Sequence, residues 1–131
     1  MRKIDYIIVH CTDGHTTDTV ETLWRVFRQR GWKHAGYHYA VTGDGIIHQL
    51  EEESSVANGA KGYNKNGIHI AWVGGYKGSM PTEVQAKNLH LMLKNLKHRY
   101  PDAQVIGHCE VNKSKRCPLI DINQLPNIVA L

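Results

Sequence analysis

The chain has 131 residues, and 16 Lys and Arg against 12 Asp and Glu give a formal net charge of +4. Hydrophobic residues make up 41% and charged residues 21%, which is too apolar for a disordered chain, and nine histidines stand beside three cysteines. This balance excludes a membrane span, a collagen-like chain and a cysteine-stapled miniprotein, and leaves one small basic domain over residues 1–131.

Three cysteines, Cys11, Cys109 and Cys117, cannot all pair within one chain. The odd count argues for reduced thiols and so for synthesis in the cytoplasm. Met1-Arg2-Lys3 has the charge of a signal-peptide start, but the apolar run Tyr6 to Val9 ends at His10, too soon for such a segment. A charge this small and scattered indicates neither a nucleic-acid nor a membrane partner.

Ile4 to Cys11 is β-branched and apolar, the pattern of a largely buried strand. Asp18 with Glu21 three residues on reads as a capping box. Val20, Leu23, Trp24 and Phe27 follow at helical spacing, and Gly31 is a natural stop. Tyr37 to Val41 and Ile46 to Leu50 read as a hairpin around the turn Thr42-Gly43-Asp44-Gly45. Glu51 to Asn66 has no period and reads as an irregular loop. Ile68 to Val73 is a further strand. Thr82 with Gln85 opens a second helix that Pro101 ends, and Gln104 to His108 is a short strand. The tail from Asp121 holds one or two helical turns at most. Interleaved strands and helices without a repeat or linker predict a single α/β domain, a central mixed β-sheet flanked by α-helices.

Two apolar strands each stop at a histidine, His10 after Ile7-Ile8-Val9 and His108 after Val105-Ile106-Gly107. Strand ends are where α/β sheets present chemistry. Two imidazoles and the thiolate of Cys117 would make a three-ligand zinc site with a fourth position left for water. Side chains alternate along a strand, so Cys11 and Cys109 point away from whatever His10 and His108 face, and read as small buried hydrophobes. His15, His34, His48, His69, His90 and His98 carry no assigned chemistry. The spacing is not a local zinc motif, so the residues alone leave a solvated or hydrogen-bonded histidine as the simpler reading.

Several segments taken together resemble the type 2 N-acetylmuramoyl-L-alanine amidases, above all the small amidase-type lysozymes of bacteriophages, whose fold peptidoglycan recognition proteins share. The matching blocks are Ile8-Val9-His10-Cys11-Thr12, Gly31-Trp32, Gly36-Tyr37-His38-Tyr39, Gly43-Asp44-Gly45, Ala60-Lys61-Gly62-Tyr63-Asn64, Val73-Gly74-Gly75, His108-Cys109-Glu110-Val111 and Lys115-Arg116-Cys117-Pro118. They lie in the family's order from about residue 6 to 121. Three positions depart from the phage pattern: Gly59 stands where a histidine is common, His69 where a glycine is, and Cys109 replaces a second histidine.

The resemblance implies zinc held by His10, His108 and Cys117, with Tyr37 as the active-site tyrosine and Lys115 as the catalytic lysine. Lys113 competes for the last role, and Lys115 is preferred for its local tie to Cys117-Pro118. The implied substrate is peptidoglycan, cut between N-acetylmuramic acid and the L-alanine of the stem peptide. Two neutral imidazoles and a thiolate leave zinc a formal +1, so a second cation aimed at the developing oxyanion would compensate. Tyr37, Lys115 or a second water could take the proton of the attacking water. An endolysin made in the cytoplasm and released through a holin-type pore fits these features. The alternative is a module that holds muropeptide without cutting it, against which the thiolate of Cys117 speaks. A regulatory protein partner, of the kind some phage lysozymes have, is left open.

Overall fold

The sheet is built outward from β1 (Tyr6–Cys11), whose sequence Tyr-Ile-Ile-Val-His-Cys is buried from its second residue onward. It pairs in parallel with β4 (Gly67–Trp72) on one side and β5 (Gln104–Gly107) on the other. Beyond β4 lies β2 (Tyr39–Val41), again parallel, and β3 (Ile47–Gln49) closes that edge as the antiparallel arm of the hairpin. The order is β3-β2-β4-β1-β5 in a computed structural model that describes residues 2–115 and 117–120. A parallel centre needs cover on both faces, because neither face can be left to water.

Each face has its own helix. α2 (Glu83–Arg99) lays Ala86, Leu89, Leu93 and Leu96 against Ile7, Val9, Ile68, Ile70 and Trp72. α1 (Val20–Gln29) covers part of the opposite face, where Leu23 and Phe27 pack with Ala35, Ala40 and Val73. Alternation along the strands explains the split, since odd positions of β1 and even positions of β4 share the α2 face. Gln85 is fully buried at the α2 interface and its amide donates to the carbonyls of Val41 and Val73, both at 2.8 Å. Its Oε1 accepts the Thr82 N–H at 3.1 Å, so the expected capping box also fastens the helix to the sheet.

The first helix begins one residue later than the sequence suggested. Thr19 is its cap, paired with Thr22, because the Asp18 carboxylate is taken by the backbone N–H of His15 at 3.0 Å. The first hairpin strand starts at Tyr39, so Tyr37 and His38 lie just before it. The last strand ends at Gly107, and His108 opens a four-residue helix, α3 (His108–Val111), whose start is marked by the Glu110 carboxylate accepting the Gly107 N–H at 2.5 Å. The tail from Asp121 lies outside the described residues. Among the described residues no helix is long and apolar enough to cross a membrane.

Candidate active site

The C-terminal ends of β1 and β5 open into a cleft of about 740 Å³, bordered by α1, the loop after β3 and the turn after α3. His10 enters it from the penultimate residue of β1 and His108 from the first residue of α3, both buried. Their Nδ1 atoms are 3.1 Å apart. Cys117 reaches the same point from the segment after α3, its Sγ 3.7 Å from His108 Nδ1. Two contacts set its position: the Cys109 N–H donates to the Cys117 carbonyl at 2.9 Å, and the Trp72 indole N–H donates to the Pro118 carbonyl at 2.9 Å. Gly107 lets that segment come close, since a Cβ there would stand 2.8 Å from Pro118 Cδ.

The donor atoms of His10, His108 and Cys117 all lie within 4.8 Å of one another. Tetrahedral zinc with bonds of about 2.0–2.1 Å to nitrogen and about 2.3 Å to sulfur requires N–N and N–S separations of about 3.3 and 3.6 Å. The observed 3.1 and 3.7 Å meet that requirement, and the donor set of two imidazoles and a thiol is one that zinc takes. Burial lowers the pKa of His10, which keeps its imidazole neutral and able to donate a lone pair. The polar side chains around it, Cys11 first and then His10 and His108, hold the Cys117 thiol down towards the thiolate form.

Tyr37 stands beside the cluster, its ring centroid 5.1 Å from that of His10 and its other side edge-on to Phe27. Burial, with the nearby Cys117 sulfur, pushes its hydroxyl pKa up, so it remains a proton donor at neutral pH. Lys115 is exposed and lines the cleft, whereas Lys113, also exposed, does not. Arg30 and Lys61 add positive charge to the rim. Cys11 is buried and packs with the α2-side core as alternation predicts, but it also lines the cleft beside Cys117 rather than pointing wholly away from it, and Cys109 is only half-buried.

One residue without an assigned role lies directly against this cluster. His69 is fully buried in β4 with its Nδ1 2.9 Å from His10 Nε2. Burial, then its histidine neighbours His10 and His38, drive its pKa well below the ordinary value and keep it neutral. His15 and His34 are exposed, and His48, His90 and His98 lie away from the cleft.

A five-stranded α/β domain with a histidine–histidine–cysteine cluster at its strand ends, in a basic cleft, defines a hydrolase of the amidase fold. Residues 1–119 match the model of the N-acetylmuramoyl-L-alanine amidase family Amidase_2, and the chain belongs to that family. It is 32% identical over 127 residues to the endolysin of Escherichia phage T7, covering 92% of this chain and 83% of that protein. The solved Ph2119 endolysin from a Thermus scotoductus bacteriophage superposes with a TM-score of 0.90 at 25% identity, over 98% of this chain and 86% of that one. Drosophila PGRP-LB has the same fold, with a TM-score of 0.77 at 19% identity over 90% of this chain and 76% of that one. The protein is an N-acetylmuramoyl-L-alanine amidase, a hydrolase acting on peptidoglycan.

Proposed function

We propose that the protein is a zinc-dependent endolysin that cuts the amide between the lactyl group of N-acetylmuramic acid and L-alanine of the stem peptide. The observation that carries this reading is the convergence of the donor atoms of His10, His108 and Cys117 to within 4.8 Å of one another inside a cleft that Tyr37 and Lys115 also line. His10, His108 and Cys117 would hold the ion, which supplies a bound water with a pKa near about 7 and a Lewis acid for the carbonyl.

The chain's own residues do the rest. The hydroxyl of a water adds to the carbonyl carbon, the C–N bond breaks, a proton from that water passes to the departing nitrogen to give the new L-alanine amino terminus, and the lactyl carbonyl remains on the sugar as a carboxylate. Lys115 offers its ammonium to the negative charge that gathers on the carbonyl oxygen, a contribution that rises only as the bond order falls. Tyr37, held protonated, donates a hydrogen bond at the reacting centre and orients the substrate carbonyl. Arg30 and Lys61 on the rim suit an anionic, carboxylate-bearing stem peptide.

The test is to incubate the protein with purified peptidoglycan, with and without a zinc chelator, and to assay new L-alanine amino termini. Release that the chelator stops and added zinc restores is expected. Release unaffected by thorough zinc removal sinks the metal-dependent reading, and cleavage of another bond sinks the assigned specificity.

A further inference from the structure

Four neighbouring strands each bring one histidine to the α1-facing side of the sheet. In spatial order these are His38 just before β2, His69 in β4, His10 in β1 and His108 just after β5. Their ring centroids are separated by 6.0, 5.1 and 4.5 Å along the row. The β1–β4 register pairs Ile8 with His69 and His10 with Ala71, so His69 sits one pleat behind His10 on the same face. The row has a working end at the cleft and a closed end in the interior.

Proton accounting along the row leaves one arrangement that allows metal binding. A neutral imidazole carries a single N–H, so His10 can present a bare Nδ1 to the cleft only with its proton on Nε2. That Nε2 is 2.9 Å from His69 Nδ1, which must then accept, placing the His69 proton on its own Nε2. The opposite arrangement puts a proton on His10 Nδ1 and blocks the ligand. We propose, resting on the reading that His10, His108 and Cys117 hold a metal, that His69 is a positioning residue that accepts the His10 Nε2 proton and keeps the Nδ1 lone pair of His10 aimed at the ion.

Three observations support it. Among the described residues the His69 Nε2 is buried without a hydrogen-bond partner, a cost that an apolar side chain chosen for packing would not incur. The ring is held in place: the His38 ring lies parallel to it within 4°, and the His69 backbone N–H donates to His38 Nδ1 at 3.0 Å. His38 in turn donates its Nε2 proton to the Ser55 carbonyl at 2.7 Å, so its tautomer is set. Finally, Gly59 makes the room, since a Cβ there would fall 2.2 Å from His69 Nδ1. Ligand histidines generally pass their second N–H to a carboxylate, carbonyl or water, and here an imidazole serves.

The experiment measures zinc affinity by competition with a chromophoric chelator, and the visible spectrum of the cobalt form, for wild type, His69→Phe, His69→Asn and Gly59→Ala. Phenylalanine keeps a ring without an acceptor, and the expected result is zinc binding about 10–100-fold weaker with a shifted cobalt spectrum. Asparagine puts an oxygen near the position of Nδ1 and should stay within about threefold of wild type. Gly59→Ala should weaken binding as His69→Phe does, by displacing the ring. Equal affinity in His69→Phe and wild type overturns the proposal, as does His69→Asn falling as far as His69→Phe. Should His69→Phe not fold, long-range proton–nitrogen spectra of the zinc-loaded wild type decide, with His69 protonated on Nε2 supporting the proposal and on Nδ1 overturning it. Wild type that holds no zinc, or Cys117→Ser that holds it undiminished, overturns the metal-site reading itself and is distinguishable from failure of the His69 inference alone.

Discussion

The two faces of the sheet come from the same strands, yet one is made for stability and the other for chemistry. Towards α2, Ile7, Val9, Ile68, Ile70 and Trp72 meet leucines, and the one buried polar side chain that α2 brings there, Gln85, has its amide satisfied by two backbone carbonyls. Towards α1, the residues interleaved with them include His10, His38 and His69, each at most 1% exposed. Three buried histidines on a sheet face cost solvation that hydrogen bonds, and the proposed metal, would offset. Because β side chains alternate, the protein places this expense at every second residue without disturbing the core behind it. Chemistry and stability are separable here by parity along the strand.

The sharpest way to break that separation is Cys117→Ser. Removing the thiolate should take amidase activity to background and let zinc go on dialysis, while the thermal midpoint measured in chelator stays at the wild-type value. A large fall in that midpoint would mean that the site also holds the fold together. The mirror experiment is Leu89→Ala on the other face. Leu89 is fully buried, so urea denaturation should show a loss of about 2–5 kcal/mol while zinc content and turnover per folded molecule are unchanged. Next in size, Lys115→Ala should lower kcat by about 100–1,000-fold with metal content intact, because on the proposed mechanism it removes the charge facing the developing oxyanion and takes nothing from either face. Lys113→Ala should remain near wild type, and loss of rate following Lys113 instead would reassign the catalytic lysine.

Local signals made much of the α2 face legible. The β-branched run of β1 and the Thr82–Gln85 capping box are written in a few consecutive residues, and both elements form where those residues stand. The start of α1 was blurred because Asp18 and Thr19 are both good caps, and only the tertiary turn that gives Asp18 to His15 decides between them. The switch from β5 to α3 did leave a local mark, Glu110 three residues after Gly107, which the apolar strand pattern obscured. On the histidine face, the strand ends at His10 and His108 suggested a metal site with Cys117 only weakly, and the resemblance to a family sharpened it. His10 contacts His108 across 98 residues and His69 across 59, and no periodicity along the chain encodes which strands become neighbours. His69 sits in a run of apolar residues, where its meaning depends on the β1–β4 register.

The faces are not wholly independent, and Glu53 is where they join. It lies in the loop that closes the histidine face, yet its carboxylate accepts from the Arg99 guanidinium at 2.6 and 2.8 Å and from the Tyr100 hydroxyl at 2.6 Å, at the end of α2. Tyr39 of the α2-side core donates to it as well. Burial alone would raise the Glu53 pKa, but the hydrogen bonds from Arg99, Tyr100 and Tyr39 hold it down to about 2. A folded-state pKa below the unfolded value means that the unfolded chain takes up the proton first. The stabilisation is therefore complete above about pH 4.5 and is lost as pH falls from there towards about 2. Glu53→Gln should cost about 1–2 kcal/mol at neutral pH, the smallest of these effects, given the partial exposure of Arg99. Its urea midpoint should also fall less steeply than that of wild type across the same acid window. If the two proteins lose stability in parallel, the clamp contributes nothing in solution, and the loop over the histidine face is held by its other ties, among them the Arg2 guanidinium, which donates to the carbonyls of Glu53, Asn64, Lys65 and Gly67, and the His38 bond to the Ser55 carbonyl.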